Sequence, residues 1–175
     1  VVEYRPRTIA SRTPITRRLL IQSAESLDVE MELRQDLVRS IAIELDRAAI
    51  NGSGTGNEPL GLMNNSDVPE VSLSGSSVAW SDVVDMESQV ALNNADINRL
   101  HYLMDPTTRG TLKTTSVDTG SGEFIFNNLE QVDPNRPGAT GTVNGYLSFA
   151  STTVPQKALL FGNWADLVFA EFGVM

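Results

Sequence analysis

Three groups of residues invite a chemical reading: a glycine-rich run, a lone histidine and pairs of carboxylates. The run Gly52-Ser53-Gly54-Thr55-Gly56 has the small residues that let backbone N–H groups close on a phosphate. A dinucleotide fingerprint, however, follows a strand and opens a helix, so that the helix N-terminus holds the pyrophosphate. Here the glycines follow a helical pattern, and the helix dipole points the wrong way. The phosphate loop needs Gly-Lys-Ser or Gly-Lys-Thr, and no lysine lies in this run. A chain reversal that needs backbone freedom explains Gly52, Gly54, Gly56, Pro59 and Gly61 better. His101 is the only histidine and sits between Leu100 and Tyr102 in an apolar stretch. One histidine cannot build a histidine-rich metal site. A Ser-His-Asp triad needs only one, but no Gly-x-Ser-x-Gly elbow is present. A hydrogen-bonding or core role suits His101 better. The paired carboxylates Asp82 with Asp85 and Glu30 with Glu32 fall on polar helix faces or first turns, where they read as capping charges. With no cysteine, disulfides, thiol catalysis and cysteine-ligated metals are excluded for this chain. The residues therefore predict no catalytic group, no cofactor and no metal. A nucleotide-binding enzyme built on the glycine run stands as the alternative from another class.

The elements that would position these residues are legible in part. Pro6 and Pro14, with β-branched residues around them, predict an extended stretch from Val1 to Gln22. Leu19-Leu20-Ile21 is either a strand end or a short helical turn. Asp28 is placed to cap a helix, with Glu30 and Glu32 in its first turns. Val29, Leu33, Leu37, Ile41, Leu45 and Ala49 then recur at every fourth position, and Val38, Ala42 and Ala48 widen the stripe. The helix Asp28–Ile50 would be roughly 33 Å long. A strict spacing of four drifts ~40° per step, so the stripe slants and predicts an angled crossing. Asn51-Gly52 is expected to end the helix with a left-handed cap. Further on, a helix is predicted over about 82–92, capped by Ser81, with Val83, Val84, Met86 and Val90 toward a core. Leu100–Met104 reads as a buried strand, and Asp105-Pro106 as the cap and first residue of a short helix reaching about Lys113. The stretches 114–122 and 133–141 read as loops, Phe124–Phe126 as a short strand, and 142–154 with 158–172 as further short strands. The class is α+β.

Composition narrows the function. The 175 residues carry 22 acidic and 13 basic side chains, a net charge of −9. Such a chain does not hold nucleic acid by general attraction, because that binding rests on Lys and Arg neutralising phosphates. The basic residues are uneven: Arg5, Arg7, Arg12, Arg17 and Arg18 crowd the first stretch, and only Lys113 and Lys157 are lysines. The arginines suit an acidic partner surface or an acidic neighbouring subunit, or else a solvated strand edge. No stretch approaches the ~20 apolar residues of a membrane span, so no membrane partner is expected. The chain begins at Val1-Val2-Glu3-Tyr4 without an initiator methionine, which suggests a processed or truncated chain.

Several segments, in order, resemble a known family. Thr13-Pro14-Ile15-Thr16-Arg17-Arg18-Leu19-Leu20-Ile21-Gln22-Ser23 leads into the long helix with Ile41-Ala42-Ile43-Glu44-Leu45-Asp46-Arg47-Ala48-Ala49-Ile50. Asn51-Gly52-Ser53-Gly54-Thr55-Gly56-Asn57-Glu58-Pro59-Leu60-Gly61-Leu62 follows. Gly145-Tyr146-Leu147-Ser148 with Thr153-Val154-Pro155, then Phe161-Gly162-Asn163-Trp164-Ala165-Asp166-Leu167-Val168, complete the series. Together they resemble the major capsid proteins of tailed bacteriophages with the Hong Kong 97 fold. The resemblance implies a spine helix of a peripheral domain packed through Val29, Leu33, Leu37, Ile41 and Leu45. It implies residues 1–65 as part of that domain with the end of an extended loop, 66–160 as an axial domain of mixed short strands and helices, and 161–175 as a return toward the peripheral domain. It implies a structural subunit that self-assembles through pentamers and hexamers into an icosahedral phage or prophage head around double-stranded DNA, held without sequence-specific contacts. Arg5, Arg7, Arg12, Arg17 and Arg18 become intersubunit contacts. Scaffolding protein or domain, portal and maturation protease become expected partners, with assembly in the bacterial host cytoplasm. A bacterial encapsulating nanocompartment of similar architecture is the alternative within the fold. Neither Lys113 nor Lys157 falls where some family members cross-link, so no cross-linking chemistry carries over.

Overall fold

The computed structural model describes residues 6–19, 29–73, 75, 77–93, 99–129, 138–168 and 170. The chain forms two compact units, Val1–Asn65 and Ser66–Met175. Their elements in chain order are α1 (Val29–Asn51), a 3-10 turn (Leu62–Asn64), α2 (Trp80–Leu92), β1 (Leu100–Met104), α3 (Pro106–Thr114), β2 (Phe126–Asn128), β3 (Ala139–Val143), β4 (Tyr146–Ala150) and β5 (Leu159–Asn163), with a second 3-10 turn at Trp164–Asp166. The mixture of helices and one sheet is α+β.

The first unit is dominated by α1. Its expected cap, Asp28, lies outside the described residues, as do Arg5 and residues 20–28. Before them, Arg17–Leu19 is helical, with the Leu19 N–H bonded to the Thr16 carbonyl at 3.1 Å. The helix runs one residue past Ile50, to Asn51. Its end departs from the expected left-handed cap at Asn51-Gly52. The positive φ angles fall later, at Gly54 (70°) and Gly56 (61°). Gly52 keeps its N–H bonded to the Ala48 carbonyl at 3.0 Å and so continues the helical pattern.

The second unit is a five-stranded sheet in the order β2-β3-β4-β1-β5. The central pair, β1 with β4, is parallel, and the other neighbours are antiparallel. Alternation along β1 buries Leu100, Tyr102 and Met104 on one face. There Tyr102 and Met104 join Val83 of α2, Leu112 of α3, Ile125, Phe126 and Val143 in a single core. Tyr102 stacks on Phe161, with centroids 4.2 Å apart.

Local chemistry explains most of these elements. Asp105 caps α3 by accepting from the N–H groups of Thr107 (2.9 Å) and Thr108 (3.2 Å), and from both threonine hydroxyls. Helix α2 starts earlier than expected, and Ser81 is not its cap. The first turn is closed by Asp82, whose carboxylate accepts from the Ala79 N–H at 2.9 Å. Of its expected core residues, Val83 is buried but Val84 is 38% exposed. The stretch expected as a loop through Gly141 instead contains β3 from Ala139 onward. That strand turns into β4 through Asn144 and Gly145, with φ of 49° and 79°, the mirror-image turn whose twist matches a hairpin. The change of course expected at residue 161 falls inside β5, where Phe161 pairs with Tyr102 and Gly162 with His101. Residues 161–163 therefore belong to the sheet of the second unit. They are held there because β5 completes the hydrogen bonding of β1.

Candidate functional site

The surface of α1 is the first candidate. Val29, Leu33 and Leu37 are half-buried, whereas Ile41 and Leu45 are 39% and 40% exposed. Among the described residues, nothing buries Ile41 and Leu45 fully. Beside them Val38 is 67% exposed and Ile43 is 53% exposed. Full burial on this helix is confined to Ala48 and Ile50, next to the loop that folds back on its end. The helix thus presents a run of large apolar side chains along its middle. Toward its start, the exposed side chains of Glu30 and Arg34 pair at 2.6 Å.

The glycine loop is the second candidate, and its geometry is closed. Ser53 and Leu60 face each other as an antiparallel bridge. The Gly54 N–H donates to the Pro59 carbonyl (3.1 Å) and the Gly61 N–H to the Gly52 carbonyl (2.9 Å). At Gly52 a Cβ would overlap the carbonyl oxygens of Pro59 and Ala48, and at Gly61 it would overlap the Gly52 nitrogen. Only glycine permits that approach of the two loop ends. Across the closure lies a charged network. Arg47 on α1 bonds Glu58 at 2.5 Å and Glu44 at 2.6 and 2.9 Å. The Ser53 hydroxyl donates to the other Glu58 oxygen at 2.5 Å. The bonds from Ser53 and then Arg47 hold the Glu58 carboxyl down at about 2. Bonding to Glu44 and Glu58 raises Arg47 further above its usual range, and its bond lowers Glu44.

The basic stretch divides. Arg7 is engaged within the unit: its guanidinium donates to the Gly56 carbonyl at 2.7 Å. The Asn57 side chain donates back to the Thr8 carbonyl at 3.4 Å. Arg12, Arg17 and Arg18 are exposed.

These arrangements bear on the chemistry raised by the sequence. The loop N–H groups of Gly52, Gly54, Thr55, Glu58 and Gly61 are all used internally, and Glu58 places a carboxylate among them. A phosphate would meet spent donors and a negative charge. The His101 Nδ1 is buried without a hydrogen-bond partner among the described residues, so the bond to an orienting carboxylate that a triad makes there is missing. Its ring lies tilted on Phe149, 5.7 Å between centroids, and its carbonyl accepts from the Trp164 indole at 2.9 Å. Asp82 closes a helix turn, and among the described residues no cluster of His, Cys, Asp or Glu is placed to hold a metal. No described helix is long and apolar enough to cross a membrane. The Arg47–Glu58–Ser53 network escaped the sequence reading. The Glu44/Arg47 spacing of three was a visible signal, but the pairing with Glu58 depends on loop closure.

The features describe a chain organised for packing, with apolar helix surface to offer and a sheet domain beside it in sequence. Comparison with known proteins specifies it further. The sequence matches the phage capsid family over residues 1–175, and the chain belongs to that family. It is 35% identical over 170 residues to the major capsid protein of Halomonas phage phiHAP-1, a match covering 97% of this chain and 26% of that protein. Among solved structures it is similar to the capsid of an empty GTA particle computed with C5 symmetry, with a TM-score of 0.59 and 19% identity over 85% of this chain and 53% of that one. The capsid of a native GTA particle gives 0.57, 17%, 85% and 52%. The chain thus spans about a quarter of the curated relative and about half of the structural ones. Its α+β fold is that of phage-like capsid subunits, and the Hong Kong 97-like architecture is consistent with it.

Proposed function

We propose that this chain is part of a major capsid subunit that self-assembles into the icosahedral head of a phage or prophage and encloses double-stranded DNA. The observation that carries the reading is the family match across the whole chain, and the uncovered apolar middle of α1 supports it. In this reading residues 1–65 belong to a peripheral domain and the sheet unit from 66 onward is axial, meeting its copies in pentamers and hexamers. The apolar side chains Ile41 and Leu45, with Val29, Leu33 and Leu37 behind them, pack against parts of the subunit or neighbour outside this chain. Such burial stabilises by roughly 25 cal/mol per Å². The loop Gly52–Gly61 reverses the chain at the end of the spine helix. Arg12, Arg17 and Arg18 meet acidic surface on neighbouring subunits, and Arg5 joins them. Scaffold, portal and maturation protease are the further partners, and the host cytoplasm is the place of assembly.

The net charge of −9 suits a wall that confines DNA without gripping it. The relatives named above are a phage capsid protein and capsids of GTA particles, which favours this reading over a nanocompartment. The test is to express the full-length open reading frame and image the product by electron microscopy. Closed shells are expected. A stable monomer under every condition of salt, pH and concentration would overturn the proposal.

A further inference from the structure

The strongest unexplained feature is the contact between the N-terminal stretch and the closed glycine loop. We infer that the loop is a bracket that orients the N-terminal stretch, with Gly56 and Asn57 as the gripping residues and the Arg47–Glu58–Ser53 network as the clasp that keeps it shut. The inference concerns contacts inside one chain and does not depend on shell formation.

The grip is chemically specific. Gly56 has a φ of 61° and open space where a side chain would lie. Its carbonyl accepts from the Arg7 guanidinium at 2.7 Å, and the Asn57 side chain donates to the Thr8 carbonyl, one position further along the partner stretch. Two successive residues of one segment thus meet two successive residues of the other, which fixes direction as well as attachment. A guanidinium with several donors suits such a carbonyl better than a lysine would.

The clasp explains why Gly56 stays in place. Between Ser53 and Leu60 the loop is held by the backbone bonds of Gly54 and Gly61 and by the Glu58 carboxylate. Glu58 is bonded from one side by Ser53, inside the loop, and from the other by Arg47, on α1. It therefore ties the loop to the helix as well as to itself. Glu44 keeps Arg47 in position with two bonds. Glu58 and Arg47 act through the loop and are positioning residues for the stretch that Gly56 holds. Without the clasp, the loop would keep its chain reversal but lose the fixed aim of the Gly56 carbonyl.

The experiment is limited trypsin digestion of the full chain, with cleavage after Arg7 and Arg12 followed by mass spectrometry and cleavage after Lys113 as the reference in the other unit. Glu58→Ala is expected to speed cleavage after Arg7 about five-fold, since cleavage follows the open population. Arg47→Met is expected to do the same, with the reference site and the helical circular dichroism unchanged. Equal rates after Arg7 in the intact chain and Glu58→Ala would overturn the inference. So would an intact chain cut at Arg7 as fast as a free peptide of residues 1–22. Where Glu58→Ala lowers helix content, Ser53→Ala replaces it. That variant removes the hydroxyl that donates to Glu58 and accepts from the Thr55 N–H, and amide exchange at Gly54 and Gly61 must then rise together with Arg7 cleavage. A rise in exchange with no change at Arg7 would equally overturn the coupling.

Discussion

Single residues in this chain carry unequal weight, and Asp105 joins several elements of the second unit. Its side chain is almost fully buried, at 2% exposed, yet it accepts from Thr107, Thr108 and the Lys157 N–H. It thereby caps α3 and pins a turn in which Lys157 adopts φ 65°. Burial opposes its ionisation, but the threonine bonds prevail and hold it below the usual carboxylate range. Asp105→Ala removes the cap and leaves buried donors unpaired, so a loss of about 2–3 kcal/mol is expected in denaturant melts of the chain. Glu58 behaves differently because it is partly exposed. Its folded value of about 2 lies below the ~4.3 of an unfolded glutamate. The clasp is therefore at full strength above pH ~4.3 and is lost as the pH falls toward about 2. A carboxyl carbon titration by NMR should place the Glu58 midpoint near the folded value, and Arg47→Met should move it upward. An unchanged midpoint in Arg47→Met would remove Arg47 from the clasp.

Among the elements, the glycine loop separates two uses of glycine. At Gly52 the added methyl of alanine would strike the Pro59 and Ala48 carbonyls, whereas at Gly56 it would meet open space. Gly52→Ala is expected to open the loop and expose Gly54 and Gly61 amides to exchange. Gly56→Ala costs only the left-handed strain of about 1–2 kcal/mol and should leave those amides protected. Equal loss of protection in both variants would mean that conformation alone, and not close approach, closes the loop. The same scale shows what sequence reading reaches. Helices α1, α2 and α3 and strand β1 were legible because periodicity and capping chemistry are local. The start of strand β3 was not, since Gly138 and Gly141 read as loop residues and the strand was expected only from Thr142 onward. The parallel pairing of Tyr102 with Ser148 joins residues distant in sequence, and no local pattern encodes it. Nor does any pattern encode the pairing of Arg47 with Glu58, which exists only after the loop closes.

For the whole molecule, the apolar stripe of α1 was legible as apolar, but the exposure of its middle was not, because periodicity reports side-chain type and not what lies against it. In this structure α1 is exposed from Val38 to Asp46 and is covered again from Arg47. Replacing Ile41 and Leu45 together by serine is thus expected to shift the stability of this chain by no more than about 0.5 kcal/mol, as at other surface positions. The same pair of changes in the full-length subunit should abolish closed shells, scored by electron microscopy and sedimentation. Shells of normal yield from that variant would show that this side of the helix is not an assembly or packing surface.

The order of strands in the sheet also sets a timetable. Strand β1 lies between β4 and β5, so its neighbours are the last strands to be made, ending at Asn163. The first unit is complete at Asn65. At about 5–20 residues per second, a ribosome needs roughly five to twenty seconds to go from one point to the other. Helix formation takes about a microsecond. During synthesis the Ile41–Leu45 side of α1 is therefore presented long before the sheet has its middle strands paired. In order of synthesis the helix and its loop come first, and the pairing of the sheet's middle strands follows.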